Sequence, residues 1–138
     1  MKYKFLEDLT SDILFEAYGK NLKELFENSA IALFSVICEI ENVKPTEKIE
    51  IEFKGATLEE TLYSFLSNLI AETEINELFL SKFNVIINKE DSTYKGKVIA
   101  YGEKITPNKG KTVVKAITYY KFKVEKNETY KAKVSLDI

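Results

Sequence analysis

Twice in this chain a capping side chain, followed three residues later by an acid, opens a run whose apolar residues recur at helical spacing. Asn21-Leu22-Lys23-Glu24 opens the first run, and Leu22, Leu25, Phe26, Ala30, Leu33, Phe34 and Ile37 then form one stripe. Thr57-Leu58-Glu59-Glu60 opens the second, just after Gly55, with Leu58, Leu62, Phe65, Leu66, Leu69 and Ile70 on its apolar face. Such caps satisfy main-chain N–H groups that the first helical turn leaves without partners, so both runs are expected to be helices with buried stripes. Elsewhere the period changes to two. Ile49, Ile51 and Phe53 alternate with Glu50, Glu52 and Lys54, the pattern of a half-buried strand.

Further strands are expected at Phe83 to Ile87, at Val98 to Tyr101, and from Asp12 through Tyr18 up to Gly19. Val113 to Val124 and Tyr130 to Ile138 flank Glu125-Lys126-Asn127-Glu128, which predicts a closing antiparallel hairpin. In its second strand Tyr130, Ala132, Val134, Leu136 and Ile138 share one face, and Lys131, Lys133, Ser135 and Asp137 the other. Gly19 and Gly102 read as turn residues. The expected architecture is one α+β domain over residues 1–138, with two amphipathic helices packed on a mostly antiparallel sheet.

A length of 138 residues and a hydrophobic fraction of 45% suit one globular domain with a real core. No apolar stretch approaches the roughly 20 residues that cross a bilayer. Met1 to Asp8 turns acidic where a signal peptide would need its apolar run, so a cytoplasmic protein with no membrane partner is expected. The single cysteine, Cys38, lies in the apolar run Ile37-Cys38-Glu39-Ile40 and reads as a packed thiol, with no basic neighbour in view.

The chain has no histidine, which removes imidazole-based triads and zinc sites built on His. A formal charge of −2 gives no global attraction to nucleic acid. A local lysine patch at Lys104, Lys109, Lys111 and Lys115 remains a candidate RNA contact, with a solvated face the plainer reading.

Carboxylates are then the candidates for chemistry. Asp12 heads a strand, and Asp137 lies one residue before Ile138, whose terminal carboxylate adds charge. If the first and last strands are neighbours, Asp12, Asp137 and Ile138 bring several oxygens to one Ca²⁺, Mg²⁺ or Mn²⁺. The alternative is that the acids are simply solvated. Lys115 lies in the apolar and aromatic stretch Val113 to Tyr120 and reads as a solvent-facing strand residue. No phosphate-cradling glycine loop and no CxxC occurs.

Several segments in order resemble the archease family over nearly the whole chain. Phe5 to Asp12 is similar to the family's opening segment, which usually ends His-Thr-Ala-Asp. Ala17 to Ala30 resembles its Gly-x-x-Leu-x-x-Leu/Ala-Phe-x-x-Ala helix. Phe79-Leu80-Ser81-Lys82-Phe83 follows the second helix, as in the family. Tyr101-Gly102-Glu103 resembles a Gly-Glu turn, Lys115-Ala116-Ile117-Thr118-Tyr119 a Lys-Ala-x-Thr-Tyr signature, and the close on Asp137-Ile138 the family's terminal Asp-Ile.

The resemblance implies a small α/β protein that is not itself an enzyme. It implies binding of a divalent cation, Ca²⁺ foremost, and stimulation of an RtcB-type tRNA-splicing ligase through guanylylation and repeated turnover. Matched by position, the metal ligands would be Asp12, Asp137 and Ile138, and Lys115 the functionally important lysine that contacts a phosphate or the ligase. tRNA would be met indirectly, through the ligase.

The chain departs from the pattern at every family histidine. Leu9 stands before Thr10, Tyr120 follows the Thr-Tyr pair, and none lies between Thr106 and Thr112. Three other readings compete with ligase activation. One is an RNA-binding module using Lys104 to Lys115 with Tyr101, Tyr119 and Tyr120. The others are a metal-dependent hydrolase and a chaperone-like binding protein without metal.

Overall fold

The computed structural model describes residues 1–7 and 12–138. In chain order the elements are β1 (Tyr3–Leu6), β2 (Ile13–Gly19), α1 (Leu22–Ile37), β3 (Glu47–Gly55), α2 (Leu58–Asn76), β4 (Leu78–Glu90), β5 (Thr93–Lys104), β6 (Ala116–Lys126) and β7 (Tyr130–Asp137). Short 3-10 turns occupy Ile40–Asn42 and Pro107–Lys109.

Both helices begin at the capping residues read from the sequence. The Asn21 side chain accepts the Glu24 N–H at 2.9 Å, and Thr57 Oγ1 accepts that of Glu60 at 3.1 Å. The two acids reach back one residue past the cap, Glu24 to the Lys20 N–H at 3.4 Å and Glu60 to that of Ala56 at 3.1 Å. Each cap thus satisfies two donors that the helix leaves over.

The strands form two antiparallel sheets rather than one. Their orders are β1-β2-β7-β6 and β3-β5-β4. Each helix touches both: α1 packs on β2 and β4, and α2 on β3 and β6. The expected stripes are buried except at their ends, where Leu22, Ile37 and Leu58 are half-buried, and Phe26, Phe53 and Phe65 meet with ring centroids 4.9–5.7 Å apart. Phe15 and Ala17 of β2 and Ala132, Val134 and Leu136 of β7 close the same core from the four-stranded side. The other face of that sheet carries Glu16, Lys131, Lys133, Ser135 and Asp137.

Two glycine readings change. Gly102 lies within β5, where a Cβ would collide with the Phe79 carbonyl oxygen at the irregularity between Leu80 and Lys82. Gly19 closes β2 where a Cβ would meet the Leu25 main chain of α1. Close approach of a second main chain, rather than a turn, requires both. The family resemblance of Tyr101-Gly102-Glu103 therefore falls on a strand.

Residues 104–112 finish both helices. Neither helix has a basic residue in its last turn. The Lys111 ammonium binds the Ser35 carbonyl at 2.8 Å, while the Lys111 and Thr112 N–H groups bind those of Ile37 and Val36 at 2.9 and 3.1 Å. Lys104 reaches the Asn76 carbonyl at the end of α2 at 3.1 Å. Carbonyls that a helix C-terminus leaves over, and the negative end of its dipole, are thereby met by a distant segment. Lys109 is held by Glu103 at 2.9 Å, and Glu103 also takes the Lys44 N–H. That main-chain hydrogen bond, and then the Lys109 ammonium, hold the Glu103 carboxyl below its ordinary range.

Candidate functional site

β2 and β7 are neighbours, with a ladder running from Ile13↔Leu136 to Gly19↔Tyr130. One step beyond the first of these pairs the register brings Asp12 against Asp137, so the two chain-end acids share one end of adjacent strands. The Ser135 hydroxyl, fully buried at 0% exposure, donates to Asp12 Oδ2 at 3.1 Å. Ser135 precedes Asp137 by two residues, so both stand on the face that points away from the helices.

Lys115 reaches the same end by its main chain. Its N–H binds the Asp137 carbonyl at 2.7 Å, and the next pair is Ala116↔Asp137. Lys115 therefore precedes β6 rather than lying within a strand, and its side chain is exposed. Ile138 follows Asp137 and is 40% exposed. Asp12, Asp137, Ile138 and Lys115 thus gather at one corner of the four-stranded sheet. Among the described residues, no three His, Cys, Asp or Glu side chains converge on one point. Leu9, Thr10 and Ser11, read above as the approach to Asp12, lie outside the described residues.

Asp12 also stands on the wall of an open cleft of about 860 Å³, between the β1–β2 end and the last turn of α1. Phe5, Leu14 and Val36 give it apolar walls, and Ser35 and Lys111 a polar side. Phe5 is 48% exposed there. The sequence reading did not find this cleft or β1, because a four-residue strand shows too little alternation to declare itself. It also passed over Ser135, whose only signal was its place on the polar face beside Asp137.

Of the candidate lysines, Lys104, Lys111 and Lys115 are exposed and Lys109 is half-buried. Lys104, Lys109 and Lys111 are spent on helix ends and on Glu103, and only Lys115 projects without such a contact. Cys38 is buried at 1% exposure and donates to the Phe34 carbonyl at 3.3 Å. Burial pushes its thiol up to about 12, against the opposing pull of Lys111, a basic neighbour that the local sequence did not reveal. On β2, burial and a 2.9 Å hydrogen bond to Glu16 push the Tyr18 hydroxyl up to about 12.

The family model described as the archease protein family (MTH1598/TM1083) matches residues 3–138. Protein archease of Sulfurisphaera tokodaii is 41% identical over 131 residues, covering 94% of this chain and 92% of that one. Protein archease of Pyrococcus abyssi is 45% identical over 119 residues, with 85% and 84% covered. The solution structure of Methanobacterium thermoautotrophicum protein 1598 superposes with a TM-score of 0.88 at 31% identity, covering 99% of both chains.

Proposed function

The chain belongs to the archease family, and from that premise we propose that it activates an RtcB-type RNA ligase of tRNA splicing in the cytoplasm. In this reading it promotes guanylylation and multiple turnover of the ligase, uses a bound divalent cation, and acts as an activator rather than as an enzyme. The observation that carries the proposal is the pairing of β2 with β7, which sets Asp12 and Asp137 at one corner with the Lys115 main chain fastened to Asp137.

The donor chemistry at this corner fits a hard cation. Two carboxylates at adjacent strand ends repel each other unless positive charge lies between them. Asp12, Asp137 and main-chain oxygen of Ile138 would hold the ion, with Ca²⁺ favoured and Mg²⁺ or Mn²⁺ as alternatives. When bound, such an ion supplies charge neutralisation for a phosphate during guanylyl transfer at the ligase.

The chain's own residues prepare the corner. Ser135 fixes the orientation of the Asp12 carboxylate, as an outer hydrogen-bond partner does for a metal ligand. The Lys115 N–H fixes the main chain of Asp137. The exposed Lys115 ammonium is available to a phosphate or to an acidic ligase surface, and tRNA is reached through the ligase. Asp12→Ala and Asp137→Ala are expected to abolish ligase stimulation in a multiple-turnover assay while circular dichroism shows the native fold. Full stimulation by both variants rules the reading out.

A further inference from the structure

On the four-stranded sheet, β6 and β7 lose register between Thr118↔Ser135 and Lys123↔Lys133. Tyr119, Tyr120, Lys121 and Phe122 therefore stand against Val134 alone. Lys121 takes a left-handed backbone at φ 53°, a conformation uncommon for a residue with a side chain. Such bulges re-aim side chains out of a sheet and are frequent beside functional sites.

The bulge builds an aromatic platform. Tyr119 is 66% exposed and stacks on Tyr63 of α2, with centroids 4.2 Å apart and planes 1° from parallel. Tyr63 is itself anchored by its hydroxyl to the Ile117 carbonyl at 3.0 Å, and Phe122 stands edge-on to both rings at 5.8 and 6.2 Å. Phe122 continues into a cleft of about 290 Å³ lined otherwise by Lys121, Lys123, Glu125, Lys131 and Lys133.

The cleft gathers four lysines around one carboxylate, Glu125. Lys123 and Lys133 are direct cross-strand partners, and like charges in that relation repel. Glu125 relieves Lys123 at 2.9 Å and Lys131 at 3.5 Å. Across the ladder on its other side Lys133 faces Glu16, yet that carboxylate is turned to Lys4 and Lys131 at 3.7 and 3.8 Å. Among the described residues Lys133 makes no ion pair. β6 is the edge strand of its sheet, and Phe122 links the two sides of that edge: it meets the Tyr63–Tyr119 stack on the helix side and lines the lysine cleft on the outward side.

We propose that the β6 bulge and the lysine cleft form a docking surface for single-stranded RNA, with a base stacked on Tyr119 and backbone phosphates held by Lys123, Lys131 and Lys133. Stacking accepts any base and lysines accept any phosphate, so the surface binds with little sequence preference. An acidic protein surface would use the lysines but leave the flat ring without a purpose. The cleft shares a face of β7 with the Asp12–Asp137 corner, and Lys133 and Asp137 are about 13 Å apart along the strand. A strand docked here would run toward that corner, although the binding itself does not depend on the ligase reading.

The test is fluorescence anisotropy of a labelled, unstructured 12-nucleotide RNA titrated with the full chain, with no ligase present. Binding is expected to weaken with salt at a log–log slope of about −2, as for roughly three phosphate contacts. Tyr119→Ala and the double variant Lys123→Ala/Lys133→Ala should each lose about tenfold in affinity, Tyr119→Phe should retain it, and the double variant should also flatten the slope. Lys133→Ala should leave the thermal midpoint unchanged or raise it, since it removes a repulsion; a lowered midpoint would show a structural role and overturn the proposal. Absence of binding at 50 mM salt overturns it. So does binding that polyglutamate displaces and Tyr119→Ala leaves intact, which would identify an acidic protein as the partner.

Discussion

At the scale of single residues, the corner depends on side chains that no local pattern ties together. Asp12 and Ser135 lie at opposite ends of the sequence, and their 3.1 Å hydrogen bond exists only because β2 and β7 pair. If Ser135 orients a metal ligand, Ser135→Ala should lower Ca²⁺ affinity about tenfold with little loss of stability, measured by calorimetric titration. Unchanged affinity would confine the serine to packing. Cys38 offers a second prediction at this scale. Its folded thiol titrates at about 12 against an ordinary 9.0, so the neutral form is favoured by folding. That contribution is complete below about pH 9 and is lost as pH rises toward 12, where the unfolded chain gives up its proton first. The unfolding midpoint of the wild type should therefore fall more steeply over that window than that of Cys38→Ala. Parallel curves would contradict the assignment. At pH 8 the native thiol should resist a disulfide reagent that reacts at once in denaturant.

At the scale of elements, what the sequence made legible was what neighbours in sequence determine. Asn21 and Thr57 announce helix starts because the cap and its N–H partner lie three residues apart. The alternation of Ile49 to Lys54 announces β3 for a similar reason. The helix ends were not legible, because their partners come from far along the chain, Lys104 at the end of β5 for α2 and Lys111 beyond β5 for α1. The same long-range contacts give Lys104 and Lys111 a structural role that their place in a row of lysines did not reveal. The meeting of Asp12 and Asp137 was legible only as a condition, that the strand running on from Asp12 be a neighbour of the last strand, and the pairing of β2 with β7 meets it. Two substitutions separate these effects. Lys111→Ala should cost about 0.3–1 kcal/mol, since a side-chain partner at a helix terminus is lost. Gly102→Ala should cost roughly 1–3 kcal/mol, since β4 and β5 must part to admit a methyl group. Chemical denaturation measures both, and a Gly102→Ala protein as stable as the wild type would refute the close-approach explanation.

At the scale of the whole molecule, both sheets and both helices give one side to the core, and on the outward face of the four-stranded sheet charge changes sign along a single strand. Along β7 that face passes from Lys131 and Lys133 to Asp137, so one strand joins a basic end to an acidic one. The chain has no histidine, while the carboxylates Asp12 and Asp137 stand at neighbouring strand ends. A function carried by their oxygens should survive the absence of histidine, and one carried by imidazoles should not. The measurement that decides between them is multiple-turnover RNA ligation by the cognate RtcB-type ligase, with GTP and a divalent metal, in the presence and absence of this protein at substoichiometric amounts. Ligation continuing through many turnovers only when the protein is present is the predicted result. Equal turnover with and without it would contradict the assignment of this chain as a ligase activator.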